Sequence, residues 1–295
     1  MKLSKLSIEQ EQILAETKED WLSLAFVRNK EGINKPLFEE GITWLYEDLL
    51  TKEKPEIVYC DSWLSCLIEI HKYKTEYGNR GLSLKPVNSV SQGRIRAAIG
   101  SPARSKIESL IDESVIRIVN AVKGEIGGRV DDSVWKAVWL ASTSENFNSN
   151  LDFAPNEFAD SAFIGWDNFG LTAYYDFFER IGVLDDYNFR QYRKLIQSNC
   201  FTLYEYSDVV FAIHPPIVIE CNEEGALHNT ERPSIAYRNG SCHYFINGVE
   251  MPDWIFKGFN KAEFLEVTDE EISAGMRRIV ESKGEDFMLK FQRGE

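Results

Sequence analysis

The sequence predicts an α+β protein: largely helical through its N-terminal two-thirds, with an antiparallel β-hairpin or meander in the C-terminal third and a final helix packed back. Three observations carry that prediction. Apolar residues recur at helical spacing in segment after segment as far as about Gln197. Over residues 209–251, strand-forming residues alternate between turn signals. Arg238-Asn239-Gly240 separates residues 234–237 from 242–246, and Asn247-Gly248 turns the chain again before Val249. Helical spacing then returns at Ile272, Met276, Ile279 and Val280.

Composition sets the outer limits. The 295 residues are 43% hydrophobic and 13% aromatic, ample for a core without staples, and no linker insists on a division. Residues 1–295 are therefore read as one globular domain; a possible subdivision is a helical part, 1–150, and aromatic helices plus β-meander, 151–295. Lys and Arg total 33 against 47 Asp and Glu, for a net charge of −14, which repels nucleic acid and anionic lipid. The five cysteines are odd in number and scattered, with no CxxC, which fits reduced thiols in a cytoplasmic protein. The N-terminus lacks an apolar stretch with a cleavage site, and no run approaches the roughly 18 apolar residues that span a bilayer.

Taken in order, Ser7 and Gln10 form a capping box for a first helix to about Arg28. Asn34 caps a second with Pro36 near its start, carrying Phe38, Ile42, Leu45 and Leu49 on one face. Pro55 frames a strand over residues 56–60, and Asp61-Ser62 caps a helix to about Tyr73. Residues 77–100, rich in Gly, Asn and Ser, read as a surface loop that holds a basic island of Arg94 and Arg96, continued by Arg104 and Lys106. Internal pairing with the many acids is the plain expectation for these charges. Ser101-Pro102 opens one helix that Gly124 ends, and Asp131-Asp132 begins another. An aromatic stretch over 153–211 suits a helical core or a ligand-facing wall; two helices are expected within it, at 169–181 and 186–197. Strands follow at 209–213 and 217–221, joined by His214-Pro215-Pro216, where either X-Pro bond is a candidate for cis. Thr268 and Glu271 form a capping box for the late helix, and Phe287-Met288-Leu289 reads as a last short strand.

Residues 220–254 concentrate half of the four histidines. Glu220, His228, Arg232 and His243 suggest general acid–base chemistry with an oxyanion-binding arginine, as in a hydrolase or transferase. Glu220, His228 and His243 as metal ligands lack any short-spacing element, so no metal and no cofactor are expected. Cys221 or Cys242 beside His228 gives only a weak thiol-nucleophile pattern. The plain alternative is that His228-Asn229 fixes the turn before the hairpin through side-chain to backbone bonds. Asn222, Asn229, Glu231, Arg232, Trp166 and Asp167 are candidate ligand-binding residues. Without a complete catalytic motif, the pattern favours a binding or regulatory protein that uses the loop before the hairpin and an aromatic face. Its partner is a protein or small molecule, with no membrane and no nucleic acid.

Residues 227–229, Leu-His-Asn, followed by Pro233-Ser-Ile-Ala-Tyr-Arg-Asn-Gly240 and Tyr244-Phe-Ile-Asn-Gly-Val-Glu-Met-Pro-Asp-Trp254, carry a resemblance. They resemble the "LHN…GPA…Y.DG…WHG..VP" signature of an uncharacterised bacterial domain-of-unknown-function family. The aromatic helix Leu171-Thr-Ala-Tyr-Tyr-Asp-Phe-Phe178 and Met276-Arg-Arg-Ile-Val-Glu-Ser-Lys-Gly284 are similar to further segments of it, as is the helix–strand–helix pattern over 44–69. The chain departs from that pattern at Arg232-Pro233-Ser234, at His214-Pro215-Pro216 and at Leu203-Tyr204. The resemblance implies a fold and a bacterial cytosolic setting rather than an activity. Arg232, where the family tends to have Gly, is the first residue to substitute.

Overall fold

A computed structural model describes residues 2–26, 31–131, 162–163, 169–224 and 226–294. The protein is α+β. Helices fill the N-terminal two-thirds, antiparallel-rich sheets lie toward the C-terminus, and the chain closes in helix. The described residues fall into two compact units that meet in sequence at Pro215-Pro216. No helix among them is long and apolar enough to cross a membrane.

In the first unit, Ser7 and Gln10 cap each other reciprocally at the start of α1 (Ile8–Phe26), as the sequence predicts. Asn34 caps α2 (Lys35–Thr43), which continues as a π-helical segment, Trp44–Leu49. Strand β1 (Glu56–Cys60) leads to α3 (Trp63–Asn79), capped by Ser62. The expected loop at 77–100 is instead largely helical. It contains α4 (Asn88–Ile95) and a π-helical turn, Arg96–Gly100, because Val87, Ile95 and Ile99 supply buried anchors that its Gly and Ser content obscures. The single helix expected from 101 is two, α5 (Ser101–Leu110) and α6 (Glu113–Asp131). Ile111 pairs with Leu3 at the break, and Gly124 sits inside α6 rather than ending it.

After β2 (Ala162–Phe163) come α7 (Phe169–Arg180) and α8 (Tyr187–Gln197), the latter capped by Asp186. Gly182 ends α7 at φ 74°, where a residue without Cβ is favoured. Strands β3 (Thr202–Glu205) and β4 (Val209–Ile213) complete a sheet ordered β1-β4-β3-β2. β4 runs parallel to β1 and antiparallel to β3. Every residue of β3 and β4 is buried, so both faces are covered. Trp63 and Tyr73 of α3 set their rings edge-on against Tyr204 and Phe211 on one face. Glu205, one residue further along, therefore points to the other. The helix predicted from Asp131-Asp132 and most of the 153–168 aromatics lie outside the described residues.

In the second unit, β5 (Val218–Ile219), β6 (Ile235–Ala236), β7 (Cys242–Ile246) and β8 (Val249–Met251) form an antiparallel meander in chain order. The expected strand over 217–221 is shorter because its chain peels away after Ile219, leaving a lone bridge from Cys221 to Leu227. Asn247 and Gly248 adopt φ 49° and 80°, the two positive values that a two-residue hairpin turn requires. A 3₁₀ turn, Asp253–Lys257, leads to α9 (Lys261–Glu266), α10 (Glu270–Ser282) and α11 (Glu285–Arg293). The cap of α10 is Asp269, not Thr268, and the strand expected at 287–289 is part of α11, whose apolar residues fall at helical spacing. α10 packs on the meander, burying Met276 and Ile279 with Ile246, Met251 and Ile255. None of the prolines in the described residues follows a cis bond.

Candidate functional site

The loop before the hairpin is shaped by its two asparagines. Asn222 Oδ1 accepts from the backbone N–H groups of Glu224 and Ala226 at 3.1 and 2.9 Å. Asn229 Oδ1 accepts likewise from Glu231 and Arg232 at 2.8 and 2.9 Å. His228 donates its backbone N–H to the Glu220 carbonyl, and its ring Nδ1 accepts from the Asn247 N–H at 3.1 Å, which leaves the ring proton on Nε2. Turned to satisfy both ends, the Asn247 amide donates to His228 Nδ1 and accepts from the Arg278 guanidinium. His228 and Asn229 thus hold turns, the plainer of the two sequence readings.

Glu220 and Arg232 pair at 2.5 Å, with the arginine side chain 65% exposed. His243, buried, has a different partner: its Nδ1 lies 3.1 Å from Glu250 Oε1, and the Tyr237 ring meets it edge-on. Glu220, His228 and Arg232 therefore share one loop, while His243 is engaged on β7 and β8. Glu231 is exposed, and Trp166 and Asp167 lie outside the described residues. Among the described residues, no three His, Cys, Asp or Glu side chains converge to hold a metal. The Cys221 thiol is pushed up to about 11 by burial and by Glu220, opposite to what a nucleophile needs.

Three features escaped the sequence reading. The basic island is exposed: Arg94, Arg96, Arg104 and Lys106 form no ion pair with a described residue, although Lys106 is near enough to help hold the Asp185 carboxyl low. In the second unit, a cleft of about 450 Å³ is lined by Phe259, Ile279, Val280 and Phe287, with Asn260, Glu263 and Lys283 at its rim. Lys283 Nζ stands 4.8 Å from the centre of the Phe287 ring. In the first unit, Glu205 is wholly buried and hydrogen-bonded to Ser91. The available signal for Glu205 was a lone acid between Tyr204 and Tyr206 in an otherwise apolar strand. The cleft had no such signal, because its lining comes from separate helices.

No family model, curated protein or solved structure matches the chain. Its functional reading therefore rests on this geometry.

Proposed function

We propose that the protein is a binding or regulatory module whose second unit presents the recognition surface. One observation carries this reading: α9 and α11 contain no buried residue, yet their Phe264, Phe287 and Phe291 rings cluster with Phe259 beside the cleft. Apolar surface left half-open around a concave site suits an apolar group of a protein or small-molecule ligand. The loop from Asn222 to Arg232 is a second contact region in this reading. A bacterial cytoplasmic setting belongs to the proposal, supported by the resemblance of the hairpin and by the free cysteines.

Titration with aromatic and aliphatic fragments, followed through the Ile279 and Val280 methyl resonances, tests the cleft. The expected result is saturable shifts that weaken about tenfold or more in a folded Phe287→Ala variant, equivalent to roughly 1.4 kcal/mol. A library with no saturable binder overturns the reading.

The alternative is a hydrolase or transferase built on Glu220, His228, Arg232 and His243, and the Glu220–Arg232 pair beside His228 favours it. Turnover of an ester, phosphoester or glycoside panel that is abolished by both Arg232→Ala and His243→Asn, with the fold intact, would establish that reading instead.

A further inference from the structure

The Ser91 hydroxyl on α4 lies between two oxygens. It contacts Glu205 Oε2 on β3, and it is 2.8 Å from the Asn88 carbonyl. A serine hydroxyl carries one hydrogen. With Glu205 ionised, both neighbours are acceptors, and one contact has no proton to fill it. With Glu205 protonated, its O–H donates to Ser91 Oγ and the Ser91 O–H donates to the Asn88 carbonyl, so both contacts are matched. The remaining carboxyl oxygen, Oε1, is buried with no hydrogen-bond partner among the described residues, a position far costlier for a carboxylate than for a neutral acid.

We propose that Glu205 and Ser91 form a proton-operated latch that holds α4 and the preceding segment against the end of β3, and that loss of the Glu205 proton releases it. Backbone bonds and buried apolar anchors hold the segment there as well: Val87 N–H donates to the Glu205 carbonyl at 3.0 Å, Ser207 N–H to the Lys85 carbonyl at 2.9 Å, and Val87 and Ile95 are buried. Past the latch, the chain carries Arg94, Arg96, Arg104 and Lys106. Proton concentration is thereby linked to how firmly the exposed basic stretch is held.

Burial pushes the Glu205 carboxyl up to about 7, against the opposing pull of the Ser91 bond, and no charged side chain contributes. Tyr46, on the π-helical segment after α2, is the titratable neighbour. Its hydroxyl donates to the Tyr206 carbonyl at 2.6 Å, and burial, Glu205 and Asp208 all oppose its ionisation, so it stays neutral. Because the folded protein holds the Glu205 proton more tightly than the unfolded chain, the latch's stabilisation is complete below the ordinary carboxylate range. It is lost as pH rises through about 7.

Hydrogen exchange of residues 85–95, corrected for intrinsic rates, tests the latch between about pH 5.5 and about pH 8.5. In the unaltered protein the opening of this segment should rise about tenfold or more over that interval. Glu205→Gln, whose amide still donates to Ser91, should remove the rise. A flat profile in the unaltered protein, or a rise that survives in Glu205→Gln, overturns the proposal. Should that variant fail to fold, infrared difference spectra of the unaltered protein decide. The band of a buried protonated carboxyl must disappear over the same interval, and its absence at the acidic end overturns the latch.

Discussion

The two units use glycine for close packing in different ways, and the contrast separates a rigid region from a yielding one. In the first unit, Gly170 brings α7 against α6; a Cβ there would stand 2.7 Å from the Lys123 carbonyl oxygen, which belongs to the backbone. Gly41 likewise brings α2 onto α8, where a Cβ would stand 2.8 Å from the Leu195 Cβ. In the second unit, a Cβ on Gly275 would crowd the flexible end of Met251 at 2.5 Å and stand in ordinary contact with the Ile246 Cβ at 3.6 Å. The polar contacts differ in the same sense. Asp176, buried, accepts from Trp21 Nε1 at 2.9 Å and pairs with Arg180 and Arg193 at 3.0 and 2.5 Å, tying α1, α7 and α8 together. The second unit has asparagine-closed turns and exposed ion pairs such as Glu220–Arg232, and its buried polar contacts, His243 with Glu250 and Ser234 with the Phe245 backbone, stay within the meander. A scaffold with fixed crossings can hold a buried acid in place, whereas loosely covered helices are suited to accommodating a ligand.

The largest expected effect is at the buried ion network. Asp176→Ala should lower stability by about 3–5 kcal/mol in urea unfolding, because Arg180 and Arg193 lose their buried counter-charge. A loss below about 1 kcal/mol would show that the network behaves as a surface pair and would erase the contrast.

Next come the glycines. Gly170→Ala should cost about 1–3 kcal/mol despite alanine's better helix propensity, since a backbone carbonyl cannot step aside. Gly275→Ala should cost less than about 1 kcal/mol, because Met251 can change rotamer. Equal thermal shifts in the two variants would break the comparison.

The smallest effects belong to the loop before the hairpin. Asn229→Ala, losing two accepted backbone bonds at an exposed turn, should cost about 1 kcal/mol. Arg232→Ala should cost less than about 1 kcal/mol, because the Glu220 pair is solvent-screened. A greater loss from Arg232→Ala than from Asn229→Ala would mean that the ion pair, rather than the turn, organises this loop.

Local patterns were legible wherever a residue acts on its own neighbours. Ser7, Asn34 and Ser62 each announce a helix start, and each caps one. Asn247-Gly248 fixes a turn by backbone preference alone. Where long-range packing decides, the sequence reading failed. Residues 88–95 look like loop by composition yet are helical, anchored by buried Val87, Ile95 and Ile99. Phe287 to Leu289 form part of a helix, where strand propensity had suggested a strand.

The candidate site followed the same rule. Turn roles for Asn229 and His228 were readable, since their partners lie close along the chain or across a short hairpin, whereas Asn222, expected only as a ligand-binding residue, also closes a turn. His243 with Glu250 was not, because that pairing depends on strand register. By itself, the sequence determined the α+β class, most helix caps and the meander's turns, all properties of short-range backbone chemistry. Only tertiary structure decided that β1 pairs with β4 across more than half the chain, that Glu205 is buried beside Ser91, and that Phe259 and Phe287 line one cleft with Ile279 and Val280. Those outcomes require residues distant in sequence to share a desolvated volume, which no local pattern encodes.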